Sequence, residues 1–223
     1  MTFYQRIVGE SWRELDAPVR LLAVQGAFGA FDTLYYHEWR ARLPALGPAA
    51  RDELRLHAAR DLSYAILFGT LPSIAWQGLW AVVLAALLLV EIVITLADFV
   101  IEDRVRRPLG GVYPGERVTH AVIGLIYGAA LANLVPVLAQ WWAAPTALAA
   151  RHEPMQSALR WLLGMMAVGV ALSGCATSAR PLGCRTAVGP GASRKNRGAP
   201  AGINRAMADE FWPGQDSVGI SNQ

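Results

Sequence analysis

The sequence predicts an all-α membrane protein: a polytopic transmembrane helix bundle with four core spans plus a fifth, and a disordered C-terminal tail. Hydrophobic residues make up 54% of the 223-residue chain and charged residues only 17%, which is too apolar for an ordinary soluble domain. Between residues 62 and 97 the single charged residue is Glu91, and residues 121–150 and 161–179 carry no charge. Because a helical span needs about 20 apolar residues, the first run must fold back on itself, and each of the others holds one span.

The N-terminal region is the least apolar part of the predicted bundle. Residues 1–17 are expected to form an interfacial N-terminal segment, an amphipathic helix with Trp12 on its apolar side. Residues 18–36 are expected to form the first span, although polar side chains interrupt it. The predicted transmembrane helical domain covers residues 18–176. Residues 177–223 are rich in Gly, Pro, Ser, Ala and Arg without helical periodicity, which predicts a disordered basic tail.

The chain breaks and the arginines together predict the topology. The long apolar run breaks at Pro72-Ser73 or at Gln77-Gly78, where turn-forming residues interrupt it. Arginines concentrate in the segments 37–61 and 102–119, and short cytoplasmic loops retain Lys and Arg. With five spans, this distribution places the N-terminus outside and the C-terminus in the cytoplasm.

Ionisable residues gather at the four helix ends that this topology places on the cytoplasmic side. Two Glu-x-x-x-His pairs lie on separate helices, and the i,i+4 spacing puts both members of a pair on one helix face. Carboxylate oxygen and imidazole nitrogen together suit transition metals such as iron, zinc or manganese. The candidate metal ligands are His37, Glu53, His57, Asp98, Glu102, Glu116 and His120.

These ligand types predict a metal-binding membrane protein, and they leave open whether it is an enzyme such as an oxidoreductase. Di-metal carboxylate bundles use Glu-x-x-His, at i,i+3, together with lone glutamates on facing helices. The spacing here is one residue longer, so the likeness lies in the kinds of ligand and not in the motif. The HxxxH and HxxHH boxes of membrane desaturases and hydroxylases do not occur in the sequence.

Two other interpretations of the ionisable residues remain open. Glu91 lies roughly 15 Å along the helix from the end of its span, near the middle of the bilayer, where a carboxylate is costly. With Asp32 and Asp98 it forms a candidate proton or ion path, as in a small proton-coupled transporter. Alternatively, the helix ends form an ion-pair network in a structural membrane module. The predicted pairs join Glu53 to Arg51 or Arg60, Glu102 to Arg106, and Glu116 to Arg117 or Arg104.

The expected partner of the chain is the lipid bilayer. The arginines lie between apolar runs or in the tail, which topology explains, and no nucleic-acid partner is predicted. Gly124 and Gly128 form a GxxxG motif on the fourth span. This motif permits close helix packing, either within the bundle or in a homo-oligomer.

Four segments resemble those of an uncharacterised family of small polytopic bacterial membrane proteins. They are YYHEWRARLP at 35–44, ELRLHAARDLSYAILF at 53–68, VEIVITLADFVIEDRVRR at 90–107 and GERVTHAVIGLIYG at 115–128. The resemblance extends over about residues 20–172. It implies an integral protein of the bacterial inner membrane and supplies no activity, cofactor or site residue.

Overall fold

The computed structural model describes residues 3–107, 110–151 and 155–179, which are mostly helical. The predicted tail lies outside these residues, except that 177–179 complete the last helix. The elements in chain order are α1 (Phe3–Phe31), a π-helical segment (Asp32–Arg40), a 3-10 helix (Leu43–Ala50), α2 (Arg51–Thr70), β1 (Ile74–Gln77), α3 (Leu79–Arg106), α4 (Pro114–Trp142), β2 (Ala147–Ala150) and α5 (Ser157–Ala179).

Three helices in the described part of the chain are long and apolar enough to cross a membrane, namely α3, α4 and α5. The predicted four core spans plus a fifth are therefore not confirmed. Helices α1 and α2 fall short because both carry several charges, among them Arg13, Glu14 and Asp16 on α1. The chain reverses between the end of α2 at Thr70 and the start of α3 at Leu79, the region in which both predicted breaks lie.

Helix α1 packs antiparallel against α4. At one end, the rings of Trp12 and Trp141 meet edge to face at 6.0 Å, and the Trp141 indole donates a hydrogen bond of 3.2 Å to the Ser11 hydroxyl. At the other end, His120 contacts Asp32. The predicted boundary between residues 17 and 18 falls inside α1, which continues past it without interruption. Trp12 is consequently part of the core.

A two-stranded sheet joins the chain reversals at the Trp12 end of the bundle. Strands β1 and β2 pair antiparallel, with Ile74 opposite Ala150; they are short and do not alter the all-α class. Gly78 follows β1 with φ +58°, and a Cβ at this position would lie 2.5 Å from the Thr146 Cα. Only glycine fits both this left-handed conformation and this close approach.

The opposite end of the bundle brings four helix ends together. The π-helical segment that extends α1 lies beside the start of α2, the end of α3 and the start of α4. These are the four ends that the arginine pattern assigned to one side of the membrane. The ionisable side chains of these ends therefore share one site.

Candidate metal centre

The site consists of ten side chains, which we call the polar cluster. It contains all seven side chains predicted as metal ligands, together with Asp32 and two arginines. The carboxylates of the cluster and the Arg106 side chain are almost fully enclosed: Glu53 and Glu116 have no exposed surface, and Arg106 is 1% exposed. The members are Asp32, His37, Glu53, His57, Arg60, Asp98, Glu102, Arg106, Glu116 and His120.

Helix geometry explains how each element presents two ligands together. On α2, α3 and α4 the members of each pair are four residues apart and share a face. Asp32 and His37 are five residues apart, which in an α-helix turns their side chains about 140° from one another. The segment Asp32–Arg40 is π-helical, and its i to i+5 pitch leaves His37 Nε2 3.4 Å from the Asp32 carboxylate.

Four side chains converge at the centre of the cluster. His120 Nε2 lies 3.0 Å from Asp32 Oδ2, and His37 Nε2 lies 3.4 Å from the same oxygen and 3.2 Å from Glu116 Oε1. The ligand atoms of Asp32, His37, Glu116 and His120 all lie within 4.8 Å of one another. They form a compact set of two oxygens and two nitrogens from the π-helical segment and α4.

A chain of contacts leads from His37 to α3. His37 Nδ1 lies 3.0 Å from His57 Nε2, and His57 Nδ1 lies 3.4 Å from Asp98 Oδ1. Arg60 in turn donates a hydrogen bond of 3.2 Å to Asp98 Oδ2. Each imidazole thus faces another polar group with its second nitrogen, as histidine ligands of metals do.

His120 has the same arrangement on the other side. Its Nε2 faces Asp32, and its Nδ1 lies 3.5 Å from Glu102 Oε2. Glu102 therefore occupies the outer position of a carboxylate–histidine pair. Asp98 holds the corresponding position behind His57.

Arg106 is the electrostatic centre of the other half of the cluster. It donates two hydrogen bonds, of 3.1 and 3.0 Å, to Glu53 Oε1, and one of 3.0 Å to Glu116 Oε1. The ion pairs predicted for Glu53 and Glu116 are therefore wrong in their partners, since one arginine from α3 holds both carboxylates. Arg60 pairs with Asp98 instead of Glu53.

Several ligand atoms of the cluster are buried without a well-formed hydrogen bond in the described part of the chain. They include Asp32 Oδ1, His37 Nε2, Glu102 Oε1 and Glu116 Oε2, and none of them is accessible to a water molecule. Buried polar groups are nearly always paired. The second oxygens of these carboxylates are therefore available to a proton or a cation.

The protonation of His57 fits a ligand or a supporting role. His57 precedes the apolar run that begins at Leu62, and it lies on the part of α2 that carries most of the helix's charges. Burial lowers the pKa of His57 well below its usual value, and the nearby Arg60 and His37 lower it further. The imidazole is therefore neutral at physiological pH.

Glu91 belongs to a separate polar group deeper in the bundle. Its Oε1 accepts hydrogen bonds from the Tyr64 hydroxyl at 2.8 Å and from the Thr95 hydroxyl at 2.9 Å, and Gln25 contacts Tyr64. Of the predicted proton or ion path, Asp32 and Asp98 lie in the polar cluster. Glu91 precedes Asp98 on α3 by seven residues, which is about 10 Å along the helix, towards the middle of the bundle.

Sequence reasoning missed the roles of three cluster members. The sequence predicts Asp32 as part of a proton path, Arg106 as the ion-pair partner of Glu102, and Arg60 as a possible partner of Glu53. The spacing of the two arginines could have indicated their roles. Arg60 follows His57 by three residues and Arg106 follows Glu102 by four, so each arginine lies on the same helix face as a predicted ligand. No local pattern predicts the π-helical pitch.

Comparison with known proteins supplies no relative. No protein-family model, no curated protein and no solved structure matches the chain. Function is therefore inferred from the geometry of the site.

Proposed function

We propose that the protein is an integral membrane protein that binds a transition-metal ion in the polar cluster. Asp32, His37, Glu116 and His120 would be the ligands. The observation that carries this proposal is the convergence of two carboxylates and two imidazoles, whose ligand atoms all lie within 4.8 Å of one another in a largely buried site.

The spacing of the donors supports a bound ion. A tetrahedral ion with ligands at about 2.0–2.2 Å holds its donors about 3.3–3.6 Å apart. Three of the observed separations are 3.0, 3.2 and 3.4 Å. Only small side-chain shifts are needed to admit the ion.

The charge balance of the cluster supports the same proposal. Five carboxylates face two guanidinium groups, so the carboxylates of the cluster outnumber its arginines by three. An unpaired buried charge costs several kcal/mol. A divalent cation offsets most of this excess, whereas an ion-pair network of these residues alone requires protonated histidines to balance it.

The remaining cluster members have supporting roles in this proposal. With a metal bound, His37 Nδ1 would donate to His57 Nε2 at 3.0 Å, and His120 Nδ1 faces Glu102 Oε2 at 3.5 Å, so that both ligands present Nε2 to the ion. Arg106 positions Glu116 and neutralises Glu53. Such outer partners typically change metal affinity 10- to 100-fold, an order-of-magnitude expectation.

Two imidazoles and two carboxylates suit iron, zinc or manganese. With iron or manganese the site would support redox chemistry, as in an oxidoreductase. With zinc it would act as a Lewis acid. The mixed oxygen and nitrogen set does not by itself select among the three.

We further propose that α1 and α2 complete a bundle of five membrane-crossing segments in the bacterial inner membrane, with the polar cluster on the cytoplasmic side. Twenty residues separate Trp12 from Asp32, which is about 30 Å of helix and matches the hydrocarbon thickness. Helix α1 lies against the apolar helix α4 over this whole length. Packing against α4 covers one side of α1, so that α1 can cross the membrane although it is less apolar than α3, α4 and α5.

Metal analysis of purified protein tests the proposal. After loading with Zn²⁺, Mn²⁺ or Fe²⁺ and desalting, elemental analysis should find about one ion per chain. Asp32→Asn combined with His120→Ala should abolish it, whereas Glu38→Gln, an exposed carboxylate next to His37, should not. A wild-type protein without bound metal, or unchanged binding in the double variant, contradicts the proposal.

A proton-coupled transporter is the alternative that one observation favours. Glu91 is 1% exposed, deep in the bundle, and Tyr64 and Thr95 both donate to it. A carboxylate at membrane depth commonly marks an ion or proton path. This alternative predicts that Glu91→Gln abolishes pH-dependent flux in vesicles and leaves metal content unchanged. A metal-free wild-type protein with Glu91-dependent flux would favour the transporter.

A further inference from the structure

A large cavity opens beside the polar cluster. Its volume is about 560 Å³, within the range of roughly 300–1,000 Å³ that small-molecule sites occupy. All five long helices contribute to its wall. Along α1 and the π-helical segment that extends it, the wall runs from Gln25 to Leu34, nine residues or about 14 Å. The cavity is therefore as long as about half the hydrocarbon thickness of a bilayer.

The wall of the cavity is apolar along most of its length. Its deep part is formed by side chains such as Phe68, Ile92 and Met166, and by glycines of α1, α4 and α5. No heavy atom lies within 4 Å of a Cβ built on Gly29 or Gly169. These glycines leave room for an occupant that the surrounding side chains do not fill.

The cavity reaches the apolar outer surface of the bundle. Leu34, Leu96 and Phe99 all belong to its wall, and they are 67%, 59% and 40% exposed. Leu96 and Phe99 lie on α3, the most apolar of the candidate spans. In a membrane these residues face lipid, so an apolar molecule can enter the cavity from the bilayer.

One end of the cavity is polar and meets the proposed metal site. Asp32, Arg60, Asp61 and His120 belong to the wall there. The guanidinium of Arg60 is already paired with Asp98. Even with a divalent ion bound by neutral imidazoles, the cluster carboxylates and Asp61 outnumber the positive charges of the ion and the two arginines. An anionic head group is disfavoured at this position, whereas a hydroxyl or a carbonyl finds both donors and acceptors.

From these features we infer that the cavity binds an uncharged lipid-class molecule that carries one hydroxyl or carbonyl group. The apolar part lies between Gly29 and Gly169, and the polar group reaches His120. This inference rests on the proposed function, because it makes such a molecule the substrate class of the metal site. Occupancy of the cavity itself can be measured without metal.

Photocrosslinking in lipid nanodiscs tests the inference. The probe is a long-chain primary alcohol with a diazirine at the tail, compared with the carboxylate and the alkane of equal length. The alcohol should label peptides of the cavity wall more strongly than either analogue. Equal labelling by the alkane, or stronger labelling by the carboxylate, overturns the inference about the polar group.

Two glycines of α5 provide a matched pair of variants. Gly169 lines the cavity and Gly164 does not, and a Cβ on either one meets no heavy atom within 4 Å. Gly169→Leu should reduce labelling about tenfold, equivalent to about 1.4 kcal/mol, and Gly164→Leu should leave it unchanged. If Gly169→Leu does not fold, Gly29→Leu fills the same cavity from α1. Undiminished labelling in a folded cavity variant overturns the inference.

Repeating the labelling on metal-free protein separates the two proposals. If the protein proves unable to bind metal but is still labelled in the cavity, the cavity assignment is supported and the proposed function is contradicted. If the protein binds one metal ion per chain but labelling does not depend on the cavity residues, the proposed function is supported and the cavity assignment is overturned.

Discussion

Replacing Glu102 by glutamine distinguishes a metal site from an ion-pair network. Glu102 contacts His120 at 3.5 Å, and its other oxygen is buried without a partner. The substitution keeps the shape of the side chain and removes one of five buried carboxylates. In a cluster with excess negative charge it should stabilise the metal-free protein, whereas an ion-pair network predicts that it destabilises.

The magnitude follows from the position of Glu102. Glutamine keeps a polar atom at both positions but removes the charge, whose burial without a counter-charge is costly. The free energy of unfolding of the metal-free protein should therefore rise, by about 1–3 kcal/mol. In the metal-bound protein, Glu102 orients His120, and its loss should weaken metal affinity about 10- to 100-fold. The stabilisation that saturating metal confers should then fall by about 1.4 to 2.8 kcal/mol.

The assay is thermal unfolding of purified protein in detergent, with and without metal, combined with a metal titration. Asp103→Asn is the matched control, because the neighbouring carboxylate is 62% exposed and pairs only with the exposed Arg107 among the described residues. The control should change neither stability nor affinity. If Glu102→Gln lowers metal-free stability and leaves metal affinity intact, the reasoning is refuted.

Two further predictions concern the fold. Arg106→Leu leaves Glu53 and Glu116 buried without their shared partner and should destabilise the protein by about 3–5 kcal/mol. The control Arg107→Leu removes an exposed arginine and should cost at most about 1 kcal/mol. Comparable losses of the two variants in denaturant titrations would contradict the role of Arg106. Gly78→Ala introduces a Cβ at φ +58° that clashes with Thr146 and should lower stability by more than about 1 kcal/mol, which an unchanged melting temperature would disprove.

Much of the candidate site could be predicted because its signals are local. The i,i+4 spacing of Glu53 with His57 and of Glu116 with His120 depends only on helical pitch, and the structure places each pair on one face. The arginine-rich loops identified which helix ends lie together. What failed was the choice of partners across helices, as in the assignment of Glu53 to Arg51 or Arg60.

The strand pair at the other end could not be predicted for a related reason. Residues 74–77 and 147–150 carry no strand pattern of their own, and they form strands because two distant chain reversals meet.

The GxxxG motif of Gly124 and Gly128 likewise indicates only that close packing is permitted. No heavy atom lies within 4 Å of a Cβ on either glycine, and Gly124 lines the cavity, so the homo-oligomer remains a prediction.

The sequence by itself determined the apolar helices and the helix ends that carry acids and histidines, because composition and periodicity are properties of single segments. Only the tertiary structure decided that Asp32 joins His37, Glu116 and His120, that Arg106 holds two glutamates, and that Glu91 stands apart. These contacts depend on how far each helix slides and rotates against its neighbours, and on a π-helical pitch that shifts His37 around the axis. A shift of a few ångströms between neighbouring helices would separate these side chains into unconnected charges.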